Sequence, residues 1–334
     1  MKSSVSIVGA GSWGTALAIH MASSGQVVRL WVYEEEICRE IREKRENGTF
    51  LQDFRIPENV IPSCSMEESL DGSNLVIFVV PTEFARGVFG KMKSVLKRRI
   101  DLLIATKGIE SDSLKLMSEL ALDVLGEGYI NKIGIISGPS FAAEMARGDP
   151  TAVVISSGDA GFAEQVQKEI SHGNFRLYTN SDTTGVQVAG SLKNVVAIAA
   201  GIIDGLGFGN NTLAALITRG MSEIRRLGTR MGGYARTFSG LAGVGDLVLT
   251  CTGRLSRNRT VGMRLGKGER LQEILAGMKM IAEGVTTCIS TRRLAKIFDV
   301  EMPIASQVHS VLYEDKKPAE AIGELLSRPL KEED

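Results

Sequence analysis

One stretch near the N-terminus constrains this chain most: an apolar, β-branched run at Val5–Val8, then Gly9-Ala10-Gly11-Ser12-Trp13-Gly14, then helix-prone residues 15–24. That order reads as strand, GxGxxG turn and helix, and the context gives the glycines their weight. Gly9 permits the tight turn, Gly11 lets the backbone approach a pyrophosphate, and Gly14 lets the helix pack close to the strand. The helix start then offers N–H groups and a positive dipole end to an anion. A second strand follows at 27–32, and Glu34 stands 20 residues after Gly14, where an acid commonly meets the adenosine ribose. The plainer reading is a glycine-rich turn in some other α/β protein.

Strand and helix alternate through the first half. Apolar runs at 75–80, 102–106, 133–137, 152–156 and 175–178 follow the first two, with helix-period segments between most of them, as at 84–96 and 114–125. That pattern predicts an α/β domain whose mostly parallel sheet is covered on both faces. After about residue 180 the strands stop, and helices are expected at 186–203, 212–231, 271–278, 286–298 and 305–313. The composition shift at 179–184 sets the expected boundary, giving an α/β domain at 1–182 and an all-α domain at 183–334. A charged segment, 331–334, reads as a frayed tail.

A chain of 334 residues can build two domains with real cores. Its 39 basic and 39 acidic residues cancel, which argues against a general nucleic-acid or membrane-surface binder. No apolar run is expected to span a bilayer, since residues 195–209 are broken by Asp204 and glycines. The glycine turn interrupts the N-terminal apolar stretch, so it does not read as a signal peptide. Cys38, Cys64, Cys251 and Cys288 lack CxxC spacing and fit free thiols in a reducing, cytoplasmic compartment. With His20, His172 and His309 far from every chemical cluster, no metal site is expected.

Residues 240–259, GLAGVGDLVLTCTGRLSRNR, set a polar cluster in apolar, glycine-rich sequence. Ser256, Arg257 and Asn258 offer donors that suit phosphate oxygens, and Asp246 is costly to bury unless paired. The segment is either the wall of a pocket for a small phosphorylated molecule or a capped helix start with Asp246 as N-cap. Lys193 opens an apolar helical stretch with Leu192, Val195, Val196 and Ala199 at helical spacing. A desolvated lysine can work as a base, while a snorkelling one is only solvated. Three turns lie at strand ends: Val80-Pro81-Thr82-Glu83, Thr106-Lys107-Gly108 and Gly138-Pro139-Ser140. Ligands on open α/β sheets bind beyond strand C-termini, so Lys107, Gly138 and Ser140 are candidates for one crevice. Ordinary turn chemistry explains the glycines and the proline equally well.

The segments GAGSWGTALA, TKGIE, SGPSFAAE, LKNVVAIAAGIIDGLGFGNN, AALITRG, TFSGLAGVGDL, TCTGRLSRNR and AEGV occur in that order. In this the chain resembles bacterial-type NAD(P)-dependent glycerol-3-phosphate dehydrogenases over nearly its whole length. The resemblance implies an N-terminal Rossmann domain, an all-helical C-terminal domain, and reversible reduction of dihydroxyacetone phosphate to sn-glycerol 3-phosphate for glycerophospholipid synthesis. It implies cofactor contacts at Ser12, Trp13, Lys107, Ala142, Arg257, Ile281 and Glu283. It implies substrate contacts at Lys107, Gly138, Ser140, Asp246, Ser256, Arg257 and Asn258, and Lys193 as proton acceptor. A homodimer is compatible with it. The residues agree on the chemistry: oxidising a secondary alcohol needs a base at the hydroxyl, and no histidine is placed for that. Asp246 is left between orienting Lys193 and holding a substrate hydroxyl.

One departure concerns the end of the second strand, Trp31-Val32-Tyr33-Glu34-Glu35-Glu36, where many relatives carry a base. Three acids there would repel a 2′-phosphate, and Glu34 is placed for a ribose diol. Tyr33 and Glu34 are therefore cofactor-binding candidates, and NAD(H) is expected over NADP(H). The plainer reading is acids opening a helix, where the dipole favours them. Two rivals remain: a related dehydrogenase acting on a 3-hydroxy acid or ketopantoate, which should lack the SRNR cluster, and a nucleotide-sensing regulator, which would need no Lys193 and Asp246 pair.

Overall fold

The computed structural model describes residues 5–330, 332 and 333, so Lys331 and Asp334 of the expected tail lie outside the described residues. Eight strands form one sheet: β1 (Val5–Val8), β2 (Val28–Trp31), β3 (Val60–Ser63), β4 (Leu75–Phe78), β5 (Ile100–Ile104), β6 (Ile130–Ser137), β7 (Thr151–Ser156) and β8 (Phe175–Asn180). Their order is β3-β2-β1-β4-β5-β6-β7-β8, and every pair is parallel except β6 with β7. Seven helices alternate with them: α1 (Ser12–Ser23), α2 (Glu35–Lys44), α3 (Met66–Leu70), α4 (Thr82–Val95), α5 (Met117–Leu125), α6 (Ala142–Arg147) and α7 (Ala160–Ile170).

Strand alternation decides which helices cover which face. Val5 and Ile7 of β1, with Leu75 and Ile77 of β4, pack with Leu17 and Met21 of α1 and Ile37 and Ile41 of α2. From the opposite face, Phe78 stacks on Phe89 of α4 with centroids 4.0 Å apart. Ser6, also on that side, donates its hydroxyl to Ser73 Oγ at 2.7 Å.

Strand β3 is absent from the sequence expectation. It is four residues long, contains Pro62 and has one neighbour, β2. Proline lacks a ladder donor and is tolerated at such an edge, which hides the strand from an apolar-run search. The helix expected from residue 114 begins at Met117, because Leu114 takes a left-handed φ of 61° and Leu116 bridges to Ile109.

After β8 the chain is helical: α8 (Thr183–Gly205), α9 (Asn210–Arg230), α10 (Asp246–Thr252), α11 (Arg257–Gly266), α12 (Leu271–Ala276), α13 (Glu283–Ile297), α14 (Pro303–Tyr313) and α15 (Pro318–Leu326). Chain contacts divide the molecule into two units. One runs to Glu110 and resumes at Lys115–Gln187; the other holds Ser111–Leu114 and everything from Val188 onward. The expectation that no apolar stretch reaches spanning length needs correction. Helix α8 runs unbroken through the glycines, long and apolar enough to cross a bilayer, but its apolar window is wholly buried in the protein.

Inside the second unit α8 and α11 cross with their backbones in contact. A Cβ on Gly201 would lie 2.0 Å from Arg259 O, one on Gly205 2.3 Å from Met263 O, one on Gly262 1.9 Å from Ile198 O, and one on Gly266 2.6 Å from Ile202 O. Each helix carries glycine at i and i+4, one face, so the close approach runs over a full turn. This crossing fixes Lys193 and Asn194 on α8 relative to Arg257 and Asn258 on α11.

Candidate functional site

In the first unit the glycine turn sits where the strand order reverses, between β1 and β4, the usual place for a ligand crevice. Gly9 has a φ of 115°, and a Cβ there would lie 2.7 Å from the carbonyl oxygen of Val79, the residue just after β4. A Cβ on Gly14 would lie 1.9 Å from Gly9 O, so α1 rests against the turn. A Cβ on Gly11 would meet nothing within 4 Å. Backbone is packed below the turn and open space lies above it, over the start of a 12-residue helix. That arrangement fits the pyrophosphate of a dinucleotide.

The surrounding residues have mixed duties. The Ser12 hydroxyl donates to Phe50 O at 2.6 Å, and Trp13 packs edge-on against Phe175. Tyr33 and Glu34 follow β2 and are exposed. Glu34 is also the N-cap of α2, with Glu35 and Glu36 in its first turn, and the Glu34 side chain makes no capping hydrogen bond.

At the ends of β5 and β6 three predicted residues meet at one atom. Lys107 Nζ donates to Gly138 O at 2.9 Å, and Ser140 Oγ donates to the same oxygen at 2.8 Å. Gly138 has a φ of 139°, and a Cβ there would press on Val153 Cα at 2.9 Å. Only glycine suits that backbone. Ala142 is the first residue of α6.

In the second unit the main polar feature is buried. Lys193 and Asp246 are both buried, and Lys193 Nζ donates to Asp246 Oδ1 and, at 2.8 Å, to Thr250 Oγ1. Thr250 Oγ1 in turn donates to Asp246 O at 2.6 Å. Asp246 and Thr250 are i and i+4 on α10, which puts both on the face turned to α8. The snorkelling lysine and the N-cap aspartate are thus set aside. A turn of π-helix, Leu241–Gly245, runs directly into α10, so Asp246 lies inside continuous helical backbone. An ammonium buried next to a carboxylate avoids the several kcal/mol that either would cost alone.

Beside Lys193, Asn194 Oδ1 accepts from Asn258 Nδ2 at 2.9 Å, and Asn258 Oδ1 accepts from Gly284 N at 2.9 Å. The two amides tie α8, α11 and the first turn of α13, where Glu283 stands with Ile281 just before it. Ser256 is the N-cap of α11, its hydroxyl accepting from Arg259 N at 3.3 Å, so it holds the helix on which Arg257 is the first residue. Arg257 keeps an exposed surface, yet loss of solvation among the protein around it pulls its guanidinium below the ordinary pKa, against the opposing charge of Glu283. Cys251 is buried, and burial pushes its thiol up to about 12, which leaves it unreactive.

Thr250 and Asn194 are residues of the candidate site that sequence reasoning missed. Thr250 carried a usable signal, its spacing of four from Asp246 on one helix. Asn194 becomes visible only through its bond to Asn258, 64 residues away.

Two family models match the chain: the NAD-dependent glycerol-3-phosphate dehydrogenase N-terminus over residues 4–163 and the corresponding C-terminus over residues 182–323. A glycerol-3-phosphate dehydrogenase [NAD(P)+] of Geobacter sulfurreducens is 48% identical over 333 residues, covering 100% of this chain and 99% of its own length. The protein of the same name from Geobacter metallireducens is 49% identical over 333 residues, with the same coverage. A crystal structure of glycerol-3-phosphate dehydrogenase from Coxiella burnetii superposes with a TM-score of 0.94 at 40% identity, covering 98% of this chain and 99% of that one.

Proposed function

The chain belongs to the NAD(P)-dependent glycerol-3-phosphate dehydrogenase family, and from that premise we propose that Lys193 is the group that moves the proton in its reaction. The reaction is the reversible reduction of dihydroxyacetone phosphate to sn-glycerol 3-phosphate with NAD(P)H, and its product serves phospholipid biosynthesis. One observation carries the proposal: a buried ammonium held between Asp246 and Thr250 on the face of α10.

Bound nicotinamide cofactor supplies or accepts the hydride. The protein's own part is proton handling and positioning. In reduction, Lys193 Nζ gives a proton to the carbonyl oxygen as it becomes an alkoxide. In oxidation, the neutral amine takes the proton from the secondary hydroxyl. The Asp246 carboxylate faces the same nitrogen and offsets its charge, while Thr250 fixes the direction from which the nitrogen is approached. Asn258, locked through Asn194 and Gly284, keeps α11 in register with the lysine. Arg257, Ser256 and Asn258 hold substrate oxygens, the phosphate among them, because an arginine fork at a helix start suits that anion. Lys107, fastened to the carbonyl shared with Ser140, contributes a second cation for substrate and cofactor, and Gly138 shapes the backbone beside it.

We assign cofactor binding to 1–182, with Gly9, Gly11, Ser12, Trp13, Gly14, Tyr33, Glu34 and Ala142, and add Arg257, Ile281 and Glu283 from the substrate domain, 183–334. NADH is the preferred reductant, because three acids follow β2 where a 2′-phosphate would sit. The family reading is compatible with a homodimer in the cytoplasm; sedimentation equilibrium finding a monomer at micromolar concentration would remove the dimer. The central test follows NADH absorbance with dihydroxyacetone phosphate for wild type and Lys193→Ala. We expect turnover that needs the phosphate ester and falls at least about 1,000-fold in the variant, the upper part of the range for a lost proton-transfer group. Unchanged turnover in the variant would remove Lys193 from the role.

A further inference from the structure

The acids after β2 leave one question about the cofactor site, namely what would meet a 2′-phosphate. The turn directly after β2 offers no base for it: Val32 and Tyr33 are followed by Glu34, Glu35 and Glu36. The fold brings one from elsewhere. Lys91, on α4, places its ammonium 5.1 Å from the centre of the Tyr33 ring. Both side chains are exposed, so the ring is not there to fill a core. Among the described residues the Lys91 ammonium is paired with no carboxylate; the ring face is its neighbour. Tyr33 also leans on Trp31, the last residue of β2, at 6.0 Å between centroids, which ties the ring to the strand end.

We propose that Lys91 is the specificity-determining cation for the 2′-phosphate of NADP(H), delivered across the sheet from α4 rather than from the loop after β2. This rests on Tyr33 and Glu34 marking the adenosine end of the cofactor site. Two opposed elements then act there. Glu34 accepts from a ribose diol and repels a phosphate, which favours NAD(H). Lys91 sits over the adjacent ring and attracts the phosphate, which keeps NADP(H) usable. The ring holds the ammonium near the site without neutralising it, since a cation–π contact leaves the full charge in place. A lysine suits this better than a bidentate arginine would if both cofactors are to bind, because its point charge imposes no fixed fork on the ligand.

The test is calorimetric titration of the intact protein with NADP+ and NAD+, for wild type, Lys91→Met and Lys91→Arg. Methionine keeps the stem against Tyr33 and removes the charge. Lys91→Met is expected to weaken NADP+ about tenfold, the loss of one charge-assisted contact to phosphate. NAD+, which has no such phosphate, should shift less than about twofold. Lys91→Arg should restore NADP+ to within about threefold of wild type, and the NADP+ loss should shrink at high salt. Equal weakening of both nucleotides would mean that Lys91 only props the ring, and would overturn the proposal. So would unchanged NADP+ affinity, or a wild type that does not bind NADP+. Glu34→Gln separates the underlying reading: if neither affinity moves in that variant, the adenosine end lies elsewhere, whatever Lys91 does.

Discussion

At the scale of single residues the second unit gathers a buried ammonium, a carboxylate and a hydroxyl within hydrogen-bond distance of one another. Lys193, Asp246 and Thr250 form a closed triangle in which one ammonium and one hydroxyl both lean on the same aspartate residue. Removing one corner should have different effects depending on what is left behind. Asp246→Asn leaves a buried ammonium without its counter-charge, and should cost about 3 kcal/mol of stability as well as activity. Denaturant titration beside turnover measures both; a variant of wild-type stability would mean that Lys193 escapes to solvent when unpaired. Thr250→Val keeps the volume and removes one hydrogen bond to the lysine. It should lower kcat about tenfold with KM for dihydroxyacetone phosphate changed less than about threefold, because the bond orients the lysine rather than binding the ground state. A change confined to KM would make Thr250 a substrate ligand instead.

At the scale of elements, two helix contacts hold the second unit together by unusual means. The first is the crossing of α8 and α11, where glycines stand on both sides of a backbone contact. Gly262→Ala puts a methyl 1.9 Å from Ile198 O, and neither backbone can yield locally. The helices must separate, at about 1 to 3 kcal/mol, and Asn258 must then slip from Asn194. Thermal unfolding and turnover should both suffer; a variant that keeps wild-type values in both would show the crossing to be loose. The second contact is the start of α14. Glu223 on α9 is buried and accepts from Ile304 N at 2.7 Å and Ala305 N at 3.2 Å, capping a helix whose first residue is a proline. Burial pushes its carboxyl up to about 7 from an ordinary 4.5, against those two N–H groups and the charges of Arg226 and Arg328. With the folded value above the unfolded one, folding takes up a proton between these pH values. The group's stabilising share is therefore complete below about 4.5 and is lost as pH rises through 7, by roughly 3 kcal/mol. Wild type should lose stability relative to Glu223→Gln between pH 5 and pH 8. A stability difference between the two that stays flat across that range would rule out the shift.

At the scale of the whole molecule, ligand linkage offers a check on cofactor preference that does not depend on turnover. A ligand at a hundred times its Kd adds about 2.7 kcal/mol to the state that binds it. With NADH preferred, NADPH at the same concentration should raise Tm less, as scanning calorimetry would read directly; the reverse order would overturn the preference. Much of this molecule was legible in its sequence. The glycine turn, the alternation of strands and helices, and the stop of strands near residue 180 depend on local backbone preference and on which side chains face a core. Both are written along the chain. Strand β3 was not legible, because an edge strand with a proline carries little apolar signal. The candidate site was legible as a list of residues: Lys193, Asp246, Ser256, Arg257 and Asn258 stood out as polar groups in apolar surroundings. What those groups do with one another was not. Whether Lys193 snorkels or pairs, whether Asp246 caps or neutralises, and that Lys91 reaches Tyr33 are outcomes of packing between segments far apart in sequence. A charge is tolerated in a core only where the fold supplies its partner, and the partner's position exists only once the helices have crossed.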